Sequence, residues 1–229
     1  MPTPIATQLA KITAQIQQAE KNMARPIGST QLLAVTKNQP TEIISQLVLA
    51  GHQQVAENYL QEALPKMQAL ANANLEWHFI GRVQSNKTKA IADHFSWVHT
   101  IERLSIAERL AAQRPVTLPP LNVCIQVNIS QEQSKAGVAL DEVLSLANAI
   151  KVFPGLRLRG LMALPALTAN KLQQEKVFQQ MQQLFLQLQQ KGVPIDTLSM
   201  GTSADFELAI KYGATSIRIG RALFTLGIE

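Results

Sequence analysis

The sequence predicts an α/β protein, a single (β/α)8 barrel preceded by one extra helix. Short apolar, β-branched segments alternate with segments of helical periodicity from residue 31 onward, which indicates parallel β–α–β units. Eight such units fit in 229 residues, within the length of about 200–250 residues that is usual for a one-domain barrel. No linker divides the chain, so one domain over residues 1–229 is expected. The alternative, an open doubly wound sheet, is disfavoured because no glycine-rich dinucleotide fingerprint follows the first strand.

Local patterns predict each element in turn. The extra helix begins where Thr3 can cap it and Pro4 suits its first position, and apolar residues follow at helical spacing. Strands are predicted at 31–36, 54–58, 75–81, 96–101, 121–129, 156–164, 195–200 and 215–220. Helices are predicted between them, at 41–51, 60–71 with an interruption at Pro65, 86–95, 103–113, 140–153, 171–191 and 204–213, with last turns at 221–227.

Composition narrows the class of protein. The net charge is +5, but the basic residues are scattered and aromatic residues make up 5%, which argues against a nucleic-acid binder and favours a small phosphorylated ligand. No apolar run approaches the roughly 20 residues of a membrane span, and the N-terminus does not read as a secretory signal. The single cysteine, Cys124, excludes a disulfide framework and fits a reducing cytoplasm.

The loops after strands 7 and 8 predict an anion site, because the functional face of such a barrel is the C-terminal end of its strands. Ser199, Thr202 and Ser203 supply hydroxyl groups, and Gly201 and Gly220 allow the backbone to approach an anion closely. The alternative is a plain helix N-cap formed by the same Gly-Thr-Ser run.

Two basic residues, one directly after a predicted strand and one within another, are candidates for ligand contacts. Lys37 follows an apolar strand, and a desolvated lysine there can attack an aldehyde, although its head could instead reach solvent. Arg218 lies within an apolar strand and needs a partner: a phosphate, a carboxylate or a ring nitrogen. His78 and His99 fit hydrogen-bonded core histidines better than metal ligands, and Cys124 fits an inert core thiol.

A set of segments spanning almost the whole chain resembles the pyridoxal phosphate homeostasis proteins, the YggS/PROSC family, which have the TIM barrel of the alanine racemase N-terminal domain. The matching segments are AVTKNQP (34–40), ENYLQE (57–62), WHFIGRVQSNK (77–87), HTIERL (99–104), VNISQEQSKAG (127–137), RGLMALP (159–165), LSMGTSADFELAI (198–210) and IRIGRALF (217–224). Such a set is far more specific than any single motif. The sequence departs from the family at Ala56, where glycine is frequent, and at Arg221, where a small residue is common.

The resemblance implies a pyridoxal 5′-phosphate (PLP) site. Lys37 would form the Schiff base, the internal aldimine, and Arg218 would face the pyridine nitrogen. The resemblance also implies contacts to the phosphate, made by Ser199, by the backbone of Met200, Gly201 and Thr202, and by Gly220 and Arg221. Beside the ring it implies Asn58 and Met162. No metal and no catalytic residue is expected.

The resemblance further implies a monomeric PLP carrier or buffer in vitamin B6 and amino-acid homeostasis, exchanging PLP with amino acids or apo-enzymes, without robust catalysis. Arg218 keeps its protons and would disfavour a protonated ring, which makes the ring a poorer electron sink. The second domain that supplies a tyrosine in alanine racemases is expected to be missing. The alternatives are a narrow-specificity PLP-dependent racemase or lyase, and a phosphosugar barrel enzyme without PLP.

Overall fold

Eight parallel strands close into a barrel in sequence order in the computed structural model, which describes residues 3–130, 136–165 and 170–225. The strands are β1 (Gln31–Val35), β2 (Gln54–Glu57), β3 (Glu76–Phe79), β4 (Trp97–Ile101), β5 (Leu121–Gln126), β6 (Leu156–Met162), β7 (Thr197–Thr202) and β8 (Ser216–Ile219). The helices are α1 (Pro4–Asn22), α2 (Thr41–Leu49), α3 (Leu60–Ala69), α4 (Thr88–His94), α5 (Leu104–Gln113), α6 (Val143–Ile150), α7 (Lys171–Gln190), α8 (Phe206–Lys211) and α9 (Arg221–Phe224). The predicted barrel is therefore confirmed, while the predicted turns at 226–227 and part of the segment 127–137 lie outside the described residues.

The extra helix α1 forms as the sequence predicts and packs against α2, α8 and α9. The Thr3 hydroxyl accepts the Ala6 N–H at 3.2 Å, which satisfies one of the unpaired donors of the first turn. The Gln8 side-chain amide donates to the Ala222 carbonyl at 2.6 Å. Near the other end, the Arg25 guanidinium donates to the Ile210 carbonyl at 2.9 Å. The helix thereby joins the start of the chain to its last units.

The predicted interruption at Pro65 is wrong, because α3 runs without a break through this residue. Proline removes one N–H donor from a helix and crowds the preceding turn. Buried side chains on both sides of Pro65 hold the short helix against the barrel: Leu60 and Ala63 pack in the core, and Lys66 reaches a buried carboxylate. These tertiary contacts outweigh the local preference.

The strands of the barrel are apolar on the face that packs against the helices and largely polar on the face that lines the barrel interior. The layer between strands and helices is one continuous hydrophobic core. Inside the barrel, His78, His99, Ser199 and Arg218 are buried and hydrogen-bonded, which confirms the two core histidines. Cys124 is buried in this interior and burial raises the pKa of its thiol to about 12, as expected of an inert thiol. No helix of the described ranges is long and apolar enough to cross a membrane.

The seam between β1 and β8 positions the C-terminal end of the barrel. Leu33 pairs with Arg218 across this seam, and Arg218 lies level with Thr202, the last residue of β7. A Cβ added to Gly220 would lie 3.5 Å from the Cβ of Val35. The loops after β1 and β8 are therefore direct neighbours, and the loop after β7 comes next.

Candidate cofactor site

Lys37 lies in a turn just past the end of β1. The Gln39 N–H donates to the Thr36 carbonyl at 3.0 Å and closes this turn, while Asn38 takes a φ of 60°, a conformation that asparagine tolerates. The Asn38 N–H donates to Glu62 Oε2 of α3 at 3.1 Å. Lys37 itself is exposed. The alternative in which the head of Lys37 reaches solvent therefore holds in this structure, because the turn places the residue beyond the end of the strand.

A buried ion pair supports this turn from below. The Lys66 ammonium donates to Glu57 Oε1 at 2.8 Å and to the Thr36 carbonyl at 2.9 Å. The Thr36 hydroxyl donates to the same Glu57 oxygen at 2.6 Å. Glu57 is wholly buried, and this burial raises the pKa of its carboxyl against the opposing effect of the Lys66 and Thr36 hydrogen bonds. This support was not predicted from the sequence, where its visible signal is a carboxylate on Glu57, the last residue of β2.

The end of β7 requires glycine at Gly201. Its φ is +94°, and an added Cβ would lie 2.5 Å from the Cβ of Ala209, so a side chain would clash with α8. The Ser203 hydroxyl accepts the Ala222 N–H at 3.4 Å. This hydrogen bond joins the loop after β7 to the start of α9, so the end of β7 with its loop and the loop after β8 form one cup.

Thr202, the last residue of β7, makes its polar contacts with the loop that follows. Its N–H and its hydroxyl both donate to Asp205 Oδ1, at 2.6 and 2.9 Å. Asp205 is the N-cap residue of α8, so the alternative in which Thr202 or Ser203 caps this helix is wrong. On the other side of the cup, Gly220 precedes α9 and Arg221 is exposed at its first position.

Arg218 lies inside the barrel beneath this cup. Its guanidinium donates to Ser199 Oγ at 2.7 Å and to the Ala163 carbonyl at 2.8 Å. It forms no ion pair with a carboxylate in the described ranges. Burial lowers the pKa of Arg218 to about 10, with Asp205 and Cys124 acting in the opposite direction. The guanidinium therefore stays charged at neutral pH, with a hydroxyl and a carbonyl as its partners.

The other residues expected around a ring lie at two different depths. Asn58 is half-buried, and its Oδ1 is buried without a hydrogen-bond partner among the described residues. Its backbone packs so closely on Gly81 that an added Cβ would lie 1.8 Å from the Asn58 carbonyl oxygen. Met162 is buried deeper, in a cluster with Trp97 and Cys124.

Comparison with known proteins identifies the family. Residues 7–227 match the model of the alanine racemase N-terminal domain. The chain is 50% identical over 220 residues to the pyridoxal phosphate homeostasis protein of Pseudomonas aeruginosa, covering 96% of this chain and 94% of that protein. The chain belongs to the pyridoxal phosphate homeostasis protein family.

Solved structures agree with this membership. The barrel is similar to PipY of Synechococcus elongatus, solved with PLP bound, at a TM-score of 0.84 and 32% identity, over 96% of this chain and 99% of that chain. It also has the fold of the alanine racemase of Corynebacterium glutamicum, at a TM-score of 0.72 and 16% identity, covering 96% of this chain and 60% of that enzyme.

The residues at this end of the barrel fit the cofactor after which the homeostasis proteins are named. The exposed amine of Lys37 suits an aldehyde, and the glycine-bearing cup of Gly201 and Gly220 suits a phosphate. The orphaned acceptor on Asn58 and the buried cation of Arg218 suit a polar aromatic ring.

The structure brings most of the expected site residues together, but not all of their side chains. Ser199 is wholly buried inside the barrel, with its hydroxyl between Arg218 and His99. The Met200 side chain is buried in the outer core, so this residue could contribute only its backbone. Ser203, in contrast, lies in the cup itself, and its hydroxyl is a better candidate for a phosphate contact than that of Ser199.

Proposed function

We propose that this protein binds PLP at the C-terminal end of the barrel and acts as a reversible carrier of the cofactor rather than as an enzyme. One observation carries the proposal. The exposed Lys37 amine, the cup formed by the loops after β7 and β8, and the buried Arg218 guanidinium all adjoin the β1–β8 seam.

The cup would hold the phosphate. Its contributors are the Ser203 hydroxyl, the backbone around Gly201 and Gly220, and the Arg221 guanidinium at the start of α9, with the Ser199, Met200 and Thr202 positions forming its base. Arg221 adds a charge-assisted contact that a small residue could not provide. When bound, PLP supplies an aldehyde that the Lys37 amine can bind covalently and reversibly.

Arg218 would set the chemistry of the ring. A guanidinium is a donor that keeps its proton, so beside a ring nitrogen it donates a hydrogen bond and opposes a second positive charge there. A ring nitrogen without a proton is a poor electron sink. Binding without turnover therefore follows from Arg218, with Asn58 and the buried Met162 flanking the ring.

The exposure of Lys37 suits a carrier, since amines, including amino acids and the active-site lysines of apo-enzymes, can reach the bound aldehyde from solvent. Such exchange would connect the protein to vitamin B6 and amino-acid balance. The cytoplasmic location and the monomeric state expected from the sequence are part of the proposal.

Borohydride reduction followed by peptide mass mapping tests the binding. We expect a yellow protein that loses its colour and carries a pyridoxyl group on the peptide containing Lys37. The variant Lys37→Arg should remain colourless, while Lys171→Arg, an exposed lysine in α7, should behave as the unaltered protein. A colourless protein that stays unmodified after PLP is added would contradict the proposal and favour a barrel enzyme that uses the cup without PLP.

A second measurement separates carrier from enzyme. The loaded protein is mixed with an apo-enzyme that needs PLP, and in parallel with amino acids in heavy water. A carrier restores the activity of the apo-enzyme and leaves the α-hydrogen of the amino acids in place. Rapid α-hydrogen exchange would identify a racemase or lyase instead.

A further inference from the structure

A continuous row of polar groups crosses the inside of the barrel from Arg218 to its opposite end. Arg218 Nη1 lies 2.7 Å from Ser199 Oγ, which lies 3.1 Å from His99 Nδ1. His99 Nε2 lies 2.9 Å from His78 Nδ1. Beyond His78 the row continues without a hydrogen bond. His78 Nε2 has no hydrogen-bond partner among the described residues and faces Glu76 Oε2 at 3.6 Å, at the first residue of β3.

The strand geometry explains this row. Side chains two residues apart lie on the same face of a strand, so Glu76 and His78 both face inward from β3, and Trp97 and His99 do so from β4. The Trp97 indole donates to Glu76 Oε1 at 2.6 Å, and its ring stacks on His78 with the centroids 5.2 Å apart. Both imidazoles are thus held in place.

The Arg218 end favours one direction for the hydrogen bonds. A guanidinium has no acceptor, so Ser199 Oγ accepts from Arg218 and its own hydrogen is available to His99 Nδ1. A neutral His99 that accepts at Nδ1 carries its hydrogen on Nε2 and donates it to His78. His78 then carries its own hydrogen on Nε2, toward Glu76.

The Glu76 end favours the same direction. The pKa of Glu76 is lowered to about 2, mainly by the facing His78 side chain, so its carboxylate is ionised and repels a lone pair on His78 Nε2. Burial lowers the pKa of both histidines, so they are neutral at neutral pH. A cation that can only donate and an anion that can only accept therefore stand at the two ends of one row.

We propose that Ser199, His99 and His78 form a polarised relay through which the distant Glu76 carboxylate offsets and orients the Arg218 charge. Aligned hydrogen bonds polarise one another in a low-dielectric interior, and Arg218 has no ion pair of its own in the described part of the chain. The three residues are positioning residues. Their effect on a bound ring rests on the proposed PLP site, but the relay itself exists in the cofactor-free protein.

Nitrogen NMR of the cofactor-free protein tests the relay directly. Long-range ¹H–¹⁵N spectra identify which ring nitrogen of a histidine carries the hydrogen, and the four histidines can be assigned with single His→Gln variants. We expect His78 and His99 both to be neutral with the hydrogen on Nε2. A hydrogen on Nδ1 of either residue, or a charged imidazole, would overturn the proposed direction.

The absorption of added PLP tests whether the relay reaches Arg218. Glu76→Gln removes the charge and keeps the shape, so we expect the absorption maximum of the bound cofactor to shift. Asp196→Asn is the matched control, because Asp196 pairs with Arg159 near the same end of the barrel and is not a member of the row. An unshifted Glu76→Gln spectrum, or an equal shift in both variants, would overturn the coupling.

Failure of the proposed function can be distinguished from failure of the relay. A protein that does not bind PLP contradicts the proposed function, while the histidine spectra still decide the relay. If circular dichroism shows that Glu76→Gln does not fold, Ser199→Ala replaces it and breaks the row next to Arg218. His99 should then show a mixture of both neutral forms, and an unchanged His99 spectrum would refute the relay.

Discussion

Lys66 and Arg218 are two buried cations that the barrel accommodates in opposite ways. Lys66 touches its counter-charge directly, with its ammonium 2.8 Å from Glu57. Arg218 touches a hydroxyl and a carbonyl, and Asp205 acts on its charge without forming an ion pair. The Glu76 carboxylate lies at the far end of the row that begins at Arg218. A cation paired locally fixes a structural feature, here the Lys37 turn. A cation whose counter-charge is distant keeps part of its field for a ligand.

Lys66→Met should give the largest loss of stability. The substitution leaves the Glu57 carboxylate buried without its cation, which costs about 3–5 kcal/mol of unfolding free energy in such pairs. Urea unfolding measures the loss. The matched control is Lys89→Met, which removes the exposed pair with Asp93 and should change stability by about 0.5 kcal/mol or less. Equal losses in the two variants would show that the buried pair does not support the fold.

Arg218→Met should cost less stability but affect the cofactor more. The substitution leaves no buried carboxylate without a cation in contact with it. The Ser199 hydroxyl and the Ala163 carbonyl lose a hydrogen-bond donor, which lowers the free energy of unfolding by about 1–3 kcal/mol. We expect a large change in the absorption of bound PLP in Arg218→Met and little change in Lys66→Met. A lower free energy of unfolding for Arg218→Met than for Lys66→Met would contradict this expected order.

Acid titration should reveal the lowered pKa of Glu76, as the smallest of the three effects. The pKa of Glu76 falls from 4.5 to about 2 on folding, so its contribution to stability is present above pH 4.5 and is lost as the pH falls toward 2. Glu76→Gln should remove this part of the acid sensitivity of the thermal midpoint. Glu42→Gln, at the surface, serves as the control and should retain the full acid sensitivity. A Glu76→Gln protein as acid-sensitive as the control would contradict the lowered pKa.

The sequence was sufficient to predict the fold and the positions of Lys37 and Arg218, because the fold and these positions depend on local sequence patterns. Apolar runs alternating with helical segments predicted all eight strands, and the end of the first strand located Lys37. Pro65 was misjudged because tertiary packing of α3 outweighs the local preference against proline.

The features of the site that were not predicted from the sequence depend on contacts between residues that are far apart in the chain. Residues 197–201 of β7 are all buried, so no alternation of exposure shows that Ser199 faces inward. Its contact with His99 crosses the barrel between residues 100 positions apart. The Lys66–Glu57 pair likewise depends on how α3 lies against β2. In retrospect, only the period-two spacing of Glu76 and His78, matched by Trp97 and His99, could have indicated the row.

The attachment of α1 to the last units has a consequence for biosynthesis. The partners of Gln8 and Arg25, the carbonyls of Ala222 and Ile210, are more than 180 residues downstream. During translation the first helix therefore leaves the ribosome long before the surfaces that it covers exist. The seam between β1 and β8 can close only after β8 has been synthesised, so Lys37 cannot meet the cup before then. A truncated or nascent polypeptide would thus display the reactive lysine without the means to retain PLP.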